Sequence, residues 1–166
     1  YAHQKQISDQ DAAQTFMQVV ALRHLRLPKV RLIGGTALVL GHGNPRFSED
    51  LDFTQVKNPS ILEKGLFHAK RELEQWLGEK AHLRRPKPGL RTWQLASAFE
   101  PNRSLRLHID SEPYPALTSR PMVIQYPSIP SFVVESVQVD EIMADKVIAL
   151  AYRNYLGGRD LFDLWF

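Results

Sequence analysis

The sequence has no cysteine among its 166 residues, which removes structural disulfides, thiolate metal sites and cysteine nucleophiles from consideration. No apolar run approaches the roughly 20 residues that a membrane-spanning helix needs. The first ten residues, YAHQKQISDQ, lack the apolar stretch of a secretory leader. Internal repeats and low-complexity tracts are absent as well. Neither sign of charge dominates: 21 Lys and Arg against 18 Asp and Glu leave a net +3, which permits a polyanionic partner without demanding one. A cytoplasmic protein with no membrane partner is expected.

What remains is ordinary for a globular chain, 43% hydrophobic and 23% charged, and long enough for one domain or two small halves around a cleft. ISDQDAAQTFMQVVALRHL predicts an amphipathic helix with Ser8 as its cap and Asp9 and Asp11 in the first turn. KVRLIGG then reads as a short buried strand ending in a glycine turn, TALVLGHG as a helix cut short by Gly41 and Gly43, and SEDLDFTQ as the next strand. Residues 60–80 place Ile61, Leu62, Leu66, Leu73, Trp76 and Leu77 at roughly helical spacing.

HLRRPKPGLR reads as a basic loop, and TWQLASAF and SLRLHIDSE as antiparallel strands joined by an EPNR turn. Two further extended stretches, PMVIQYP and SFVVESVQV, follow. From Asp140, as a cap, DEIMADKVIALAYRNYL predicts a helix, broken at Gly157 and Gly158 and followed by a second helix from about Arg159. The expected fold is α+β, a mixed sheet flanked by helices, with a core over 1–139 and a helical part over 140–166. Because Phe166 lies inside the apolar pattern DLFDLWF with no stop signal, that helical part is expected to be truncated.

Within SEDLDF, Asp50 and Asp52 are two apart and so share one face of a strand, while Leu51 and Phe53 take the other. Two carboxylates held side by side repel unless a cation lies between them, and hard divalent cations such as Mg²⁺ take oxygen ligands. A solvated strand face with two unrelated aspartates is the competing reading. In LRLHID, Leu105, Leu107 and Ile109 form an apolar side and leave Arg106, His108 and Asp110 opposite. If that strand lies beside the first, Asp110 completes a cluster of three carboxylates able to hold two metal ions.

Gly34, Gly35 and Thr36 fall between a strand and a helix start, where backbone N–H groups can approach a phosphate. No Walker or dinucleotide fingerprint accompanies them, so an ordinary turn is the alternative. Lys146 and Arg153 lie on the apolar side of their helix; either they face an anion or Lys146 snorkels out over the core. RDLFDLWF is apolar except at Arg159, Asp160 and Asp163, which predicts a helix buried on most sides. A buried Asp163 needs a partner, and Arg159 one turn earlier is the candidate for a structural salt bridge.

LIGGTALVLGHG followed by RFSEDLDF resembles the signature of polymerase-β-like nucleotidyltransferases, specifically the AbiEii-type abortive-infection toxins. DEIMADKVIALAYRNYLGGRDLFDLWF resembles the C-terminal block of the same family, with a looser match at LHID. The resemblance implies a polymerase-β-like nucleotidyltransferase fold. It implies that Gly34, Gly35 and Thr36, with Ser48, cradle the phosphates of a nucleoside triphosphate such as ATP or GTP. Asp50 and Asp52 would bind Mg²⁺ or Mn²⁺, Asp110 would be the third carboxylate, Lys146 would contact the triphosphate, and Asp163 would be a further functional acid. It also implies a toxin paired with an antitoxin protein, and relatives that add nucleotides to tRNA.

The acceptor is the least defined part. Lys80, Arg84, Arg85, Lys87 and Arg91 either track an RNA backbone or form a solvated basic loop. Trp93 either stacks a base or belongs to the core. A small-molecule nucleotidyltransferase of the antibiotic-modifying kind would use the same metal site. A glycosyltransferase could use Asp-x-Asp but would not explain the glycine turn or Lys146. A catalytically silent nucleotide- or RNA-binding module would bind triphosphate without turnover.

Overall fold

The computed structural model describes residues 8–86, 90–100, 103–155 and 157–166. Lys87 of the basic stretch, and Pro101 and Asn102 of the expected EPNR turn, lie outside them. Chain order is α1 (Asp9–His24), β1 (Arg31–Ile33), α2 (Gly34–Gly41), β2 (Leu51–Thr54), α3 (Ser60–Leu77), β3 (Ala81–Arg84), β4 (Thr92–Glu100), β5 (Arg103–Ser111), β6 (Arg120–Tyr126), β7 (Ile129–Ser136), α4 (Val139–Tyr152) and α5 (Gly158–Trp165). The seven strands form one mixed sheet in the order β3-β4-β5-β2-β1-β7-β6, so the expected α+β architecture is what the chain adopts.

Strand β2 is central. It pairs antiparallel with β1, with Ile33 opposite Asp52, and parallel with β5, with Asp52 opposite Asp110. Helices α1 and α3 pack on each other and on β3, β4 and β5, burying Met17, Val20, Leu62, Leu66 and Leu73 together with Trp93, Leu95, Leu107 and Ile109. Apolar burial of this kind is worth roughly 25 cal/mol per Å². Along β5 the buried Leu105, Leu107 and Ile109 alternate with the exposed Ser104, Arg106 and His108. That alternation leaves the second face of β3–β5 open, and Asp110 is its inner end.

Ser8 caps α1 as expected, accepting from the Asp11 N–H at 3.1 Å. Three expectations are corrected. The segment HLRRPKPGLR is not all loop, because residues 81–84 pair antiparallel with β4 and form β3. The α4 cap is Gln138, without a side-chain hydrogen bond, since Asp140 already lies inside the helix. Helix α5 is not buried on most sides: Asp160 and Asp163 face inward, whereas Leu161, Trp165 and Phe166 are 47%, 80% and 53% exposed. The acids have cationic partners inside the fold, and ion pairing sets the orientation of the helix against its apolar stripe.

Candidate active site

The β1–β2–β5 ladder builds the floor of a cavity of about 1220 Å³ that Gly34, Gly35, Ser48, Asp50, Asp52 and Asp110 all line. Asp52 follows from the pleat: Leu51 and Phe53 are buried in the core, so Asp52 points the other way. Asp50 immediately precedes the strand on the same side. Asp110 arrives by register, directly across the parallel pair from Asp52, and the Thr92 hydroxyl on β4 donates to its Oδ1.

Electrostatics there are unbalanced. Burial pushes the Asp52 carboxyl up to about 7, with the negative charges of Asp50 and Asp110 adding and Lys146 only partly opposing. Asp50 is raised as well, chiefly by burial, with Glu49 and Asp110 adding and His108 and Arg159 opposing. Among the described residues neither Asp50 nor Asp52 has an ion pair or a hydrogen bond to its carboxylate. Among those residues no three acidic, histidine or cysteine side chains converge closely enough, as they stand, to enclose a metal ion. The donor chemistry nonetheless fits a hard divalent cation, since Asp50, Asp52 and Asp110 offer only carboxylate oxygens and repel one another.

The glycine turn is set by two close approaches. Gly34 has φ of +79°, and a Cβ there would lie 2.5 Å from Asp52 Oδ2. At Gly35 a Cβ would fall 2.3 Å from Arg46 Nη2 and 2.9 Å from Ser48 Oγ. Ser48 lines the cavity, but Thr36 does not: it is fully buried, with its hydroxyl donating to the Asp50 carbonyl and sharing a hydrogen bond with Ser48 at 2.9 Å. Thr36 therefore holds the backbone of the acidic segment.

Asp163, with no exposed surface, is gripped on three sides. Arg46 donates from Nε to Oδ1 and from Nη2 to Oδ2, both at 2.5 Å, Asn44 Nδ2 donates at 2.7 Å, and Lys146 Nζ lies 2.7 Å from Oδ2. Burial would raise the Asp163 pKa, yet the hydrogen bonds and charges of Arg46 and Lys146 outweigh it and hold the carboxyl below its usual range. Lys146 also reaches Asp160 Oδ1 at 3.1 Å, and Arg153 closes on Asp160 Oδ2. The inward cations thus face anions of the chain itself. Arg159 is not the partner of Asp163; it turns outward to Glu49 at 2.7 Å, because the turn carrying Asn44 and Arg46 already fills the carboxylate's surroundings.

The basic stretch divides. Arg85 bonds the Leu90 carbonyl, pairs with Glu63 at 3.3 Å and stacks over Trp93. Arg91 donates to the carbonyls of Val56 and Ser111. Arg84 is exposed on β3. Trp93 is 1% exposed and belongs to the core.

Residues 18–166 match the family described as nucleotidyl transferase AbiEii toxin, type IV toxin-antitoxin system. The chain belongs to the AbiEii toxin family. No curated protein matches the sequence. Among solved structures, JHP933 from Helicobacter pylori is similar at 24% identity and a TM-score of 0.64, over 95% of this chain and 65% of that one. MenT4, a nucleotidyltransferase toxin from Mycobacterium tuberculosis, is similar at 22% identity and a TM-score of 0.64, over 93% of this chain and 56% of that one. These two show a shared fold, and this AbiEii chain spans less than two thirds of each. No helix among the described residues of this family member is long and apolar enough to cross a membrane.

Asn44 and Arg46 escaped the sequence reading of this AbiEii chain. The one available signal was their place in NPRFSEDLDF, between the glycine turn and the acidic pair.

Proposed function

We propose that the chain is a metal-dependent nucleotidyltransferase, which moves a nucleoside monophosphate from a nucleoside triphosphate to an acceptor hydroxyl. The observation that carries this is the placement of Asp52 opposite Asp110 in one ladder, one backbone step from a glycine turn that presses against the Asp52 carboxylate. Phosphoryl transfer asks mainly for positioning and charge neutralisation. Both are supported here by rigid elements.

The backbone of Gly34 and Gly35, with Ser48, receives the triphosphate tail. Asp50 and Asp52, with Asp110 as third carboxylate, are the residues that would hold Mg²⁺ or Mn²⁺, which supplies neutralisation of the phosphate charge and acidifies the acceptor hydroxyl. The acceptor oxygen bonds to the α-phosphorus, the bond to the bridging oxygen breaks, and pyrophosphate leaves. Thr92 occupies Asp110 Oδ1, so Oδ2 is left to take the hydroxyl proton. Lys146 and Arg46, bound to Asp163, place positive charge beside the glycine turn without being fixed directly to the metal-binding acids.

RNA such as tRNA is the acceptor we favour, because the open face of β3–β5 presents Arg84, Arg106 and His108 and leads inward to Asp110. As a toxin-antitoxin family member the protein would meet a neutralising antitoxin protein. The test is label transfer: Mg²⁺, each α-labelled nucleoside triphosphate, and total RNA, beside Asp50→Asn/Asp52→Asn. Label reaching RNA only with the intact pair supports the reading. Triphosphate binding without transfer to RNA, protein or small hydroxyl compounds would sink it in favour of a silent module, and transfer to a small molecule alone would replace the RNA acceptor.

A further inference from the structure

The segment between β5 and β6 is tied down at four backbone points. The Glu112 carbonyl accepts from Val56 N–H at 2.9 Å, and the Tyr114 carbonyl accepts from Gln55 N–H at 2.9 Å and Thr54 Oγ1 at 2.6 Å. Farther along, the Glu141 carboxylate of α4 accepts from the N–H groups of Leu117 and Thr118 at 2.8 and 2.7 Å and from the Thr118 hydroxyl at 2.7 Å. Burial would raise the Glu141 pKa, but these hydrogen bonds prevail and lower it, so the clamp stays ionised and accepting at neutral pH.

In the middle of this fixed loop is Tyr114, 69% exposed, on the wall of the same cavity as the carboxylates. Among the described residues its ring has no stacking, hydrogen-bond or cation partner. An aromatic ring held out by a rigid backbone loses little entropy when it stacks, which is what a planar ligand rewards. Its position also fits. Thr54, which anchors the Tyr114 carbonyl, lies two residues along β2 from Asp52, about 7 Å. The glycine turn sits on the other side of Asp52, across the β1–β2 pair. A nucleotide laid with its triphosphate at Gly34 and Gly35 and its α-phosphorus at Asp52 extends its sugar and base toward Thr54 and the loop. The cavity's other exposed aromatic, Tyr155, is covered by the Arg153 guanidinium 5.9 Å from its ring centre, at the α5 end.

We propose that Tyr114 is the platform on which the base of the incoming nucleoside triphosphate stacks. This rests on the nucleotidyltransferase reading and assigns the base half of that substrate site. Stacking on one aromatic ring is sequence-tolerant, so the platform contributes affinity for every base, and choice among bases comes from neighbouring polar groups.

The experiment is calorimetric titration of the full chain with Mg²⁺ and, separately, ATP, GTP, CTP, UTP and inorganic tripolyphosphate, for the native sequence, Tyr114→Ala and Tyr114→Phe. Expected for Tyr114→Ala is a loss of about ten-fold or more in affinity for the preferred nucleoside triphosphate, with tripolyphosphate affinity unchanged. Tyr114→Phe keeps native affinity for both, since the ring and not the hydroxyl does the stacking. Unchanged nucleotide affinity in Tyr114→Ala, or equal loss for nucleotide and tripolyphosphate, overturns the platform while leaving the nucleotidyltransferase reading standing. Should the native chain bind neither probe, both readings fall together. A Tyr114→Ala effect confined to acceptor affinity in the transfer assay would reassign the ring to the acceptor and likewise overturn the proposal.

Discussion

Arg46 grips Asp163 across 117 positions of sequence, with two parallel N–H to oxygen bonds of 2.5 Å. The fork geometry is specific to a guanidinium. It joins the turn before the acidic strand to the last helix, and it does so next to the glycine whose missing Cβ makes room for the guanidinium.

Removing that grip leaves a buried charge short of partners. Arg46→Ala is expected to cost about 3–5 kcal/mol of unfolding free energy, measured by urea denaturation, and to abolish nucleotide transfer. Arg46→Lys restores charge but not the fork, so it recovers only part of the loss. A destabilisation below about 1 kcal/mol for Arg46→Ala would show the network to be marginal. Since the folded Asp163 pKa is depressed, its stabilising share is present above the ordinary carboxylate range and disappears as pH falls through the depressed value.

The glycines fail for different reasons. Gly34→Ala forces a side chain into φ of +79° and within 2.5 Å of Asp52 Oδ2, so it costs about 1 kcal/mol or more in strain and displaces a carboxylate. Gly35→Ala leaves the backbone unstrained but pushes the Arg46 guanidinium aside. Both lose transfer activity, yet only Gly35→Ala is rescued in part by shortening Arg46 to Lys. Equal, unrescued losses would contradict the distinction.

Asp52 gives a stability test of opposite sign. Its folded pKa is raised to about 7, so in the metal-free protein ionisation above that pH destabilises the fold, and the penalty is relieved as pH falls through about 7 toward the ordinary carboxylate value. Metal-free Asp52→Asn is therefore expected to be more stable than the native chain at pH 8, with the gap narrowing as pH falls below about 7 and closing only near the ordinary carboxylate value. Thermal unfolding with chelator, across pH, measures it. A constant gap would remove the carboxylate repulsion from the account.

Thr92 is expected to tune Asp110 rather than bind substrate. Thr92→Val, close in shape, removes the hydroxyl that donates to Asp110 Oδ1 and should lower kcat several-fold with KM for the triphosphate nearly unchanged. A change in KM alone would place Thr92 in the nucleotide pocket instead.

The acidic face was legible because a strand's period of two allows only one arrangement: with Leu105, Leu107 and Ile109 inward, Asp110 had to face out beside Arg106 and His108. The glycine turn was legible for a similar local reason. Pairing between distant segments was not. Nothing in the spacing of α5 shows that Asn44 and Arg46 meet Asp163, so its nearest cation in sequence, Arg159, was the natural partner to name, although it goes to Glu49 instead. Thr36 looked like a phosphate ligand from its place after two glycines; its burial against Asp50 and Ser48 depends on tertiary packing. In α5 the apolar stripe was visible, but the pairing of Asp160 and Asp163 with Arg46, Lys146 and Arg153 outweighed it in deciding which side faces in.

The grip of Arg46 on Asp163 also orders events during synthesis. A nascent chain that has emerged as far as Ser136 already possesses all seven strands and the three carboxylates of the ladder. It still lacks the acid that fixes Arg46 and the lysine that shares it. The sheet therefore emerges ahead of the pair that ties its acidic end to the last helix, and that end of the cavity is closed only when residue 163 arrives.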